Sequence, residues 1–237
     1  MRIEVFTILP SLVEDFLQHS LLQKAQQKGI IQISVHDIRA ATSDPHRSVD
    51  DSPFGGGPGM VLMAEPVFKA TAQCVRPLLL LDPAGEPFTQ AKARQLATTD
   101  GFSLLSGRYE GIDERIREHL VDEELSLGDF VLNGGEVAAM AVIEAVCRLV
   151  PDVIGNPESV ANESFESDLL DHPHYTRPAD FQGMLVPDVL RSGDHGQVAR
   201  WRMAAALART LRRRPDLIER RGGLSEEEED LLAEFGF

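Results

Sequence analysis

Glu136, Glu144 and Arg148 are the only charged residues in the otherwise apolar run GEVAAMAVIEAVCRLV. A charge on such a helix must find a partner or serve a site, because an unpaired buried ion is costly. Glu144 and Arg148 stand four apart, the spacing of a helix-surface ion pair. Arg148 therefore has two readings, half of an ion pair or a cation offered to a ligand. In GRYEGIDER, Tyr109 and Glu110 follow a strand-end glycine, and Asp113 and Glu114 are the acids that favour a helix N-terminus. In DHPHYTRP, His172 and His174 flank Pro173. Two imidazoles with no further ligand cluster make a weak metal signal. The segment reads as a turn that presents Tyr175 and Arg177 to a partner.

Two further stretches carry chemistry through their composition. DDSPFGGGPGM packs four glycines and two prolines into eight positions. It lacks the Gly-Lys-Ser/Thr of a P-loop, and no GxGxxG opens a helix after a strand. The prolines still argue for a shaped loop, since each fixes φ. Residues 191–221 hold nine arginines against Asp194, Asp216 and Glu219, and RTLRRRP has no interleaved acid. Positive charge beside Trp201 is the footprint of phosphate contacts.

These residues need a frame. RIEVFTIL reads as a buried strand, and Pro10 and Ser11 open a helical stretch with Ser11 as N-cap and Gly29 as C-cap. IQISV alternates with period two. A charged, Gly-rich segment from about 40 to 59 follows, long for a loop without function. Then three apolar runs, LLLLDPAGEP, FSLLSGRYEGIDER and ELSLGDFVLNGGE, each end in a turn, with helical stretches between and after them. Strands alternating with helices predict a parallel α/β sheet. Ligands of open α/β sheets bind beyond the carboxyl ends of the strands. That rule predicts a small-molecule site at Leu81–Gly85, Ser106–Gly111 and Leu127–Gly135.

The helix at 136–149 is apolar almost all round, which predicts the sheet on one side and a second subunit on the other. Pro151 ends it. Residues 155–171 read as an interdomain linker between a domain at 1–154 and a small helical domain at 172–237. Ser225 and Glu228 form a capping box ahead of a stripe of Leu224, Leu231, Leu232 and Phe235.

The whole chain of 237 residues has a formal charge of −15, which alone opposes nucleic-acid binding; the local arginine excess reverses that inference. Cys74 and Cys147 lie in apolar, helix-like contexts, with no CxxC or Cys/His cluster and so no zinc or disulfide framework. MRIEVFTILP has neither a signal peptide's apolar region nor membrane-spanning length, which predicts a cytoplasmic protein with no membrane partner.

Together HRSVDDSPFGGGPGM, GRYEGIDER, SLGDFVLNGGE, DHPHYTRP, VPDVLRSGDH and ARWR…RTLRRRPDL resemble the bacterial tRNA (guanine-N1)-methyltransferase family, from Met1 nearly to the end. The resemblance implies a SPOUT-type fold, a parallel α/β sheet with a deep trefoil knot plus a small C-terminal helical domain, acting as a homodimer. It implies methyl transfer from S-adenosylmethionine to N1 of the guanosine 3′ of the anticodon in tRNA. By motif match the cofactor contacts are Leu81, Asp82, Pro83, Gly107, Tyr109 and Glu110, then Leu127, Gly128, Asp129, Phe130, Val131, Leu132, Gly134 and Gly135. Asp82 and Phe130 replace a frequent serine and tyrosine, and Ala138 stands where a proline is common. Mg2+ joins the expectations through the family, with Glu110 near it.

The same resemblance makes Arg148 the cation that stabilises O6. The family's general base is an aspartate directly before SF; this chain has Glu163 there, one methylene longer, with Asp168 and Asp171 in reserve. Such a base is needed because guanine N1 carries a proton at neutral pH and is a poor nucleophile. A linker base makes sense if the linker orders only with both substrates bound. Asp50, Gly57, Pro58 and Gly59 are expected to wall the guanine pocket, with Asp50 on the base edge. Arg200, Arg202, Arg209, Arg212, Arg213 and Arg214 are expected to contact tRNA phosphates. Two rival readings are a SPOUT methyltransferase for another RNA target and an RNA-binding protein without catalysis.

Overall fold

The computed structural model describes residues 1–155, 163–165 and 167–237. The chain divides into two compact units, Met1–Gly155 and Asn156–Phe237.

In the first unit β1 (Arg2–Thr7) leads through α1 (Pro10–Leu17) and α2 (Ser20–Gln27) to β2 (Gln32–Asp37). A two-stranded ribbon, β3 (Asp50–Asp51) and β4 (Val61–Leu62), precedes α3 (Ala64–Ala70). Then come β5 (Leu78–Pro87), α4 (Gln90–Ala97), β6 (Gly101–Ser106), α5 (Glu114–His119), β7 (Glu123–Ser126) and α6 (Glu136–Cys147). The five main strands form one sheet in the order β2-β1-β6-β5-β7, with every pairing parallel.

Helices cover both faces of this sheet, which explains the continuous apolar runs of its strands. Successive residues of β5 go to opposite cores. Leu79 and Leu81 join Ile3, Val5, Leu104 and the inner side of α6, whereas Leu78 and Leu80 join Phe6, Leu62, Leu105 and Ile116. Parallel strands place the ends of β5, β6 and β7 on one edge, where three loops leave the sheet.

Three local expectations are corrected here. The stretch after Pro10 is two helices, broken where Ser20 takes a left-handed φ of +55°. Leu9 is the N-cap and Pro10 opens α1, because proline's missing N–H costs nothing in a first turn, so Ser11 lies inside the helix. At the far end Gly29 sits just past the cap residue Lys28, with φ +71°. Gly29 N–H donates to Gln26 O and Ile30 N–H to Ala25 O, the paired bonds of a Schellman stop. Cys74 lies in a turn after α3, not in a helix, whereas Cys147 is buried in α6 and burial pushes its thiol up to about 12.

The run LLLLDPAGEP does not end in a turn. β5 leaves the ladder after Leu81, loops out, and rejoins β7 so that Leu81 and Glu86 both pair with Leu125. Gly85 makes the return possible: a Cβ there would lie 2.5 Å from the Glu124 carbonyl carbon and the Leu125 nitrogen.

The second unit is helical. A short hairpin, β8 (Asp180–Phe181) and β9 (Met184–Leu185), precedes α7 (His195–Arg213), α8 (Pro215–Arg220) and α9 (Glu226–Phe235). Leu169, Ala204, Leu207, Ile218 and Leu231 form its core, with Leu224, Leu232 and Phe235 packed on it. Asp194 caps α7 by accepting from Gln197 N–H, and the Ser225–Glu228 capping box opens α9. Among the described residues no helix is long and apolar enough to cross a membrane.

Candidate functional site

A cleft of about 190 Å³ opens at the carboxyl ends of β5, β6 and β7. Its walls hold Leu81, Asp82 and Pro83 from the first loop and Gly107, Tyr109 and Glu110 from the second. Leu127, Gly128, Phe130, Val131, Leu132, Gly134 and Gly135 come from the third. Arg108, Gly111, Ile112, Leu125, Ser126 and Ala138 complete the lining. Asp129 is exposed and does not line the cleft.

Each loop is held by contacts distant in sequence. Asp82 accepts from Ala84 N–H at 2.9 Å and pairs with Arg117 at 3.1 Å. Arg117 also bonds Glu114 and Glu124, so one guanidinium ties the first loop to α5 and β7. In the second loop Tyr109 has φ +65° and Gly111 φ +146°. The second and third loops meet where Gly135 N–H donates to Gly107 O at 2.9 Å and Arg108 bridges Gly134. A Cβ on Gly135 would sit 2.8 Å from the Ser106 Cα, so glycine permits this approach.

Glu136 anchors the junction; the sequence marks it as a charge on an apolar helix that needs a partner, without saying which. Its side chain is 1% exposed, accepts from Thr7 Oγ1 at 2.7 Å, and bonds Arg108 Nε at 3.1 and 3.2 Å. Thr7 ends β1, 129 residues away in sequence, and nothing local signals that partnership.

The Gly-rich loop closes the ribbon beside the second cleft loop. Asp50 and Asp51 pair with Leu62 and Val61, making residues 52–60 the ribbon's connection. Glu110 N–H donates to Met60 O, Leu62 N–H to Gly111 O and Asp113 N–H to Leu62 O. Gly55, Gly56, Gly57 and Gly59 have φ between +76° and +121°, where glycine is favoured. Only Gly59 is tightly packed, since a Cβ there would fall 2.3 Å from Glu110 Cγ. Gly55–Gly57 stand open, and Pro58 is exposed.

Asp50 reaches the cleft through Tyr109. Burial, and then the hydrogen bond to the Asp50 carboxylate, hold the Tyr109 phenol above the ordinary tyrosine value. The folded state therefore favours the protonated phenol. Its contribution is full below the unfolded value of about 10 and is lost as pH rises through the folded one. An ultraviolet titration is expected to show a component above the ordinary tyrosine range. Tyr109→Phe should remove that component and Asp50→Asn should move it down.

Arg148 caps the C-terminus of α6 and is half-buried, a position where its charge complements the helix dipole. The outer side of the helix carries Val137, Ala141 and Glu144 exposed and Met140 half-buried. Among the described residues Glu110 belongs to no group of three His, Cys, Asp or Glu donors.

In the helical unit Glu163 is half-buried. Its neighbours are tied down within that unit: Phe165 N–H donates to Leu169 O, Asp171 N–H to Ser164 Oγ and Leu170 N–H to Thr210 Oγ1. The arginines divide into two groups. Arg200 pairs with Glu234, and Arg214 forks onto Asp216 at 2.7 Å. Arg202, Arg209, Arg212 and Arg213 are exposed and, among the described residues, make no ion pair. Arg202, Arg209 and Arg213 stand seven and four residues apart, which puts them on one face of α7.

Comparison with known proteins adds an independent finding. A family model described as tRNA (Guanine-1)-methyltransferase TrmD matches residues 1–220. A tRNA (guanine-N(1)-)-methyltransferase of Chloroflexus aggregans is 50% identical, over 100% of this chain and 96% of the relative. One of Thermomicrobium roseum is 51% identical over 98% and 88%. One of Bacillus licheniformis is 47% identical over 99% of each.

Proposed function

The chain belongs to the tRNA (guanine-1)-methyltransferase family, and on that premise we propose that it methylates N1 of the guanosine 3′ of the anticodon in tRNA, with S-adenosylmethionine as donor. The observation that carries this reading is the convergence of three glycine-bearing strand-end loops on one cleft. Leu81, Leu125, Leu127, Leu132 and Ala138 offer apolar surface there, glycines leave backbone polar groups accessible, and Glu110 brings a carboxylate to a donor that carries positive charge. The cofactor residues are those named from sequence, with Asp129 exposed beside them. The SPOUT knot is part of the same proposal. So is the homodimer, which the exposed apolar residues Val137 and Ala141 of α6 support.

S-adenosylmethionine supplies a methyl group activated by a sulfonium leaving group. Glu163 takes the N1 proton as the new bond forms, which is general-base work. Arg148 donates hydrogen bonds to O6, where negative charge develops. Asp50 reads the base edge, and Gly57, Pro58 and Gly59 form a flat wall against the ring. No step is assigned to Mg2+.

For tRNA capture we assign the exposed arginines of α7, chiefly Arg202, Arg209, Arg212 and Arg213. Arg200 and Arg214 join by exchanging their carboxylate partners for phosphates. The Arg202→Glu, Arg213→Glu double variant is expected to bind tRNA at least about tenfold more weakly, with a salt slope lower by roughly 2. Its cofactor affinity should be unchanged. Unaltered tRNA affinity would remove α7 from the interface.

The activity itself is tested with unmodified tRNA carrying guanosine 3′ of the anticodon, labelled donor, and mass spectrometry of the nucleosides. The expected product is 1-methylguanosine at that position. A methylated ribose or another base would reassign the target, and the absence of a thermal shift with S-adenosylmethionine would leave an RNA-binding protein.

A further inference from the structure

Asp171, His172 and His174 form a cluster in the helical unit to which the proposed methyl transfer assigns no step. The motif DHPHYTRP holds all three residues, and the fold turns the Asp171 carboxylate towards both imidazoles. One ligand-capable atom from each of the three lies within 4.8 Å of the others. Asp171 Oδ2 is 2.8 Å from His174 Nε2, and Asp171 Oδ1 is 2.9 Å from His172 Nδ1. The second approach is close without the alignment of a hydrogen bond, and His172 Nδ1 is buried with no hydrogen-bond partner among the described residues. The imidazoles meet edge to face with centroids 4.4 Å apart.

The cluster is fixed from behind. Asp171 N–H donates to Ser164 Oγ at 2.9 Å, Arg209 Nη1 donates to Asp171 O at 3.2 Å, and Pro173 stiffens the chain between the imidazoles.

Two imidazole nitrogens and one carboxylate oxygen are the donor set of borderline divalent ions such as zinc, cobalt and nickel. Magnesium prefers oxygen ligands throughout. We propose that Asp171, His172 and His174 bind one zinc-class divalent ion per chain, leaving a coordination position for water or an exogenous ligand. A bound ion would satisfy the orphaned His172 nitrogen and would join donors that otherwise crowd one another. Ligation would also withdraw Asp171 from any role as a base. The proposal is independent of the methyl-transfer reading, since its readout is metal binding.

The test uses untagged full-length protein stripped with a chelator. Zn2+ is titrated in competition with a chromophoric chelator, and Co2+ is followed by visible absorption. Wild type is expected to take one tight ion and to give cobalt ligand-field bands. His172→Asn with His174→Asn should lower zinc affinity at least about 100-fold, more than loss of a supporting residue usually costs. Asp171→Asn, which preserves size and both imidazoles, provides a second variant should the first fail to fold. Equal zinc affinity in wild type and a folded variant, or the absence of cobalt bands from wild type, would overturn the assignment.

Discussion

Glu163→Gln is expected to bind tRNA and S-adenosylmethionine as wild type does and to lose about 10²–10⁴-fold in single-turnover methyl transfer, the usual worth of a positioned base. The substitution keeps the size and removes the charge and the basicity. Glu163→Asp, which restores the family's carboxylate length, should retain much more activity than the amide. If Glu163→Gln turns over at a near-normal rate, the base is another carboxylate. Asp171 is a poor substitute, because its neighbours hold its carboxyl below the usual range and weaken it as a base. Asp168 is exposed, with φ +55°, and would inherit the role.

The second large effect is expected at Glu136. Glu136→Ala should destabilise the first unit by about 3–5 kcal/mol, because a buried pair loses one member and leaves the other uncompensated. Arg108, whose side chain is 26% exposed, would lose its carboxylate, and Thr7 its acceptor. For a chain of this size that loss corresponds to a fall in Tm of roughly 10 °C. The same change loosens the contact between the second and third cleft loops, so KM for S-adenosylmethionine should rise. Glu136→Gln, which keeps the size and an acceptor for Thr7, should fall between. Thermal melts and steady-state kinetics read both effects. A loss under about 1 kcal/mol would mean that the Arg108–Glu136 pair does not hold the loops together.

Both experiments turn on carboxylates that the sequence displays very differently. Glu163 is recognisable by its place before Ser164 and Phe165 in a family motif. Glu136 shows in the sequence only as a charge on an apolar helix that needs a partner. Its importance comes from Thr7 and Arg108, and no periodicity links those positions. The arginines of α7 teach the same lesson. RTLRRRP carries no interleaved acid, yet its Arg214 is paired by Asp216 from α8, and Arg200 upstream is paired by Glu234 from α9. The usable positive face is therefore narrower than the composition of the segment, and centres on Arg202, Arg209, Arg212 and Arg213.

What this sequence determined by itself was the local pattern. Apolar runs of strand length, the capping box of Ser225 and Glu228, the stop at Gly29 and the glycines of the ribbon loop all follow from side-chain size, backbone freedom and hydrogen bonds within a few residues. Tertiary structure alone decided the rest. It broke the first long helix at Ser20, returned β5 to β7 beyond Leu81, seated Met60 and Leu62 on the loop of Glu110 and Gly111, and joined Glu136 to Thr7 and Arg108. Each of these depends on a through-space partner or on the exact direction in which a side chain leaves the backbone. Burial and pairing energies depend on distance in space, and spacing along a chain records that distance only within one helix or strand.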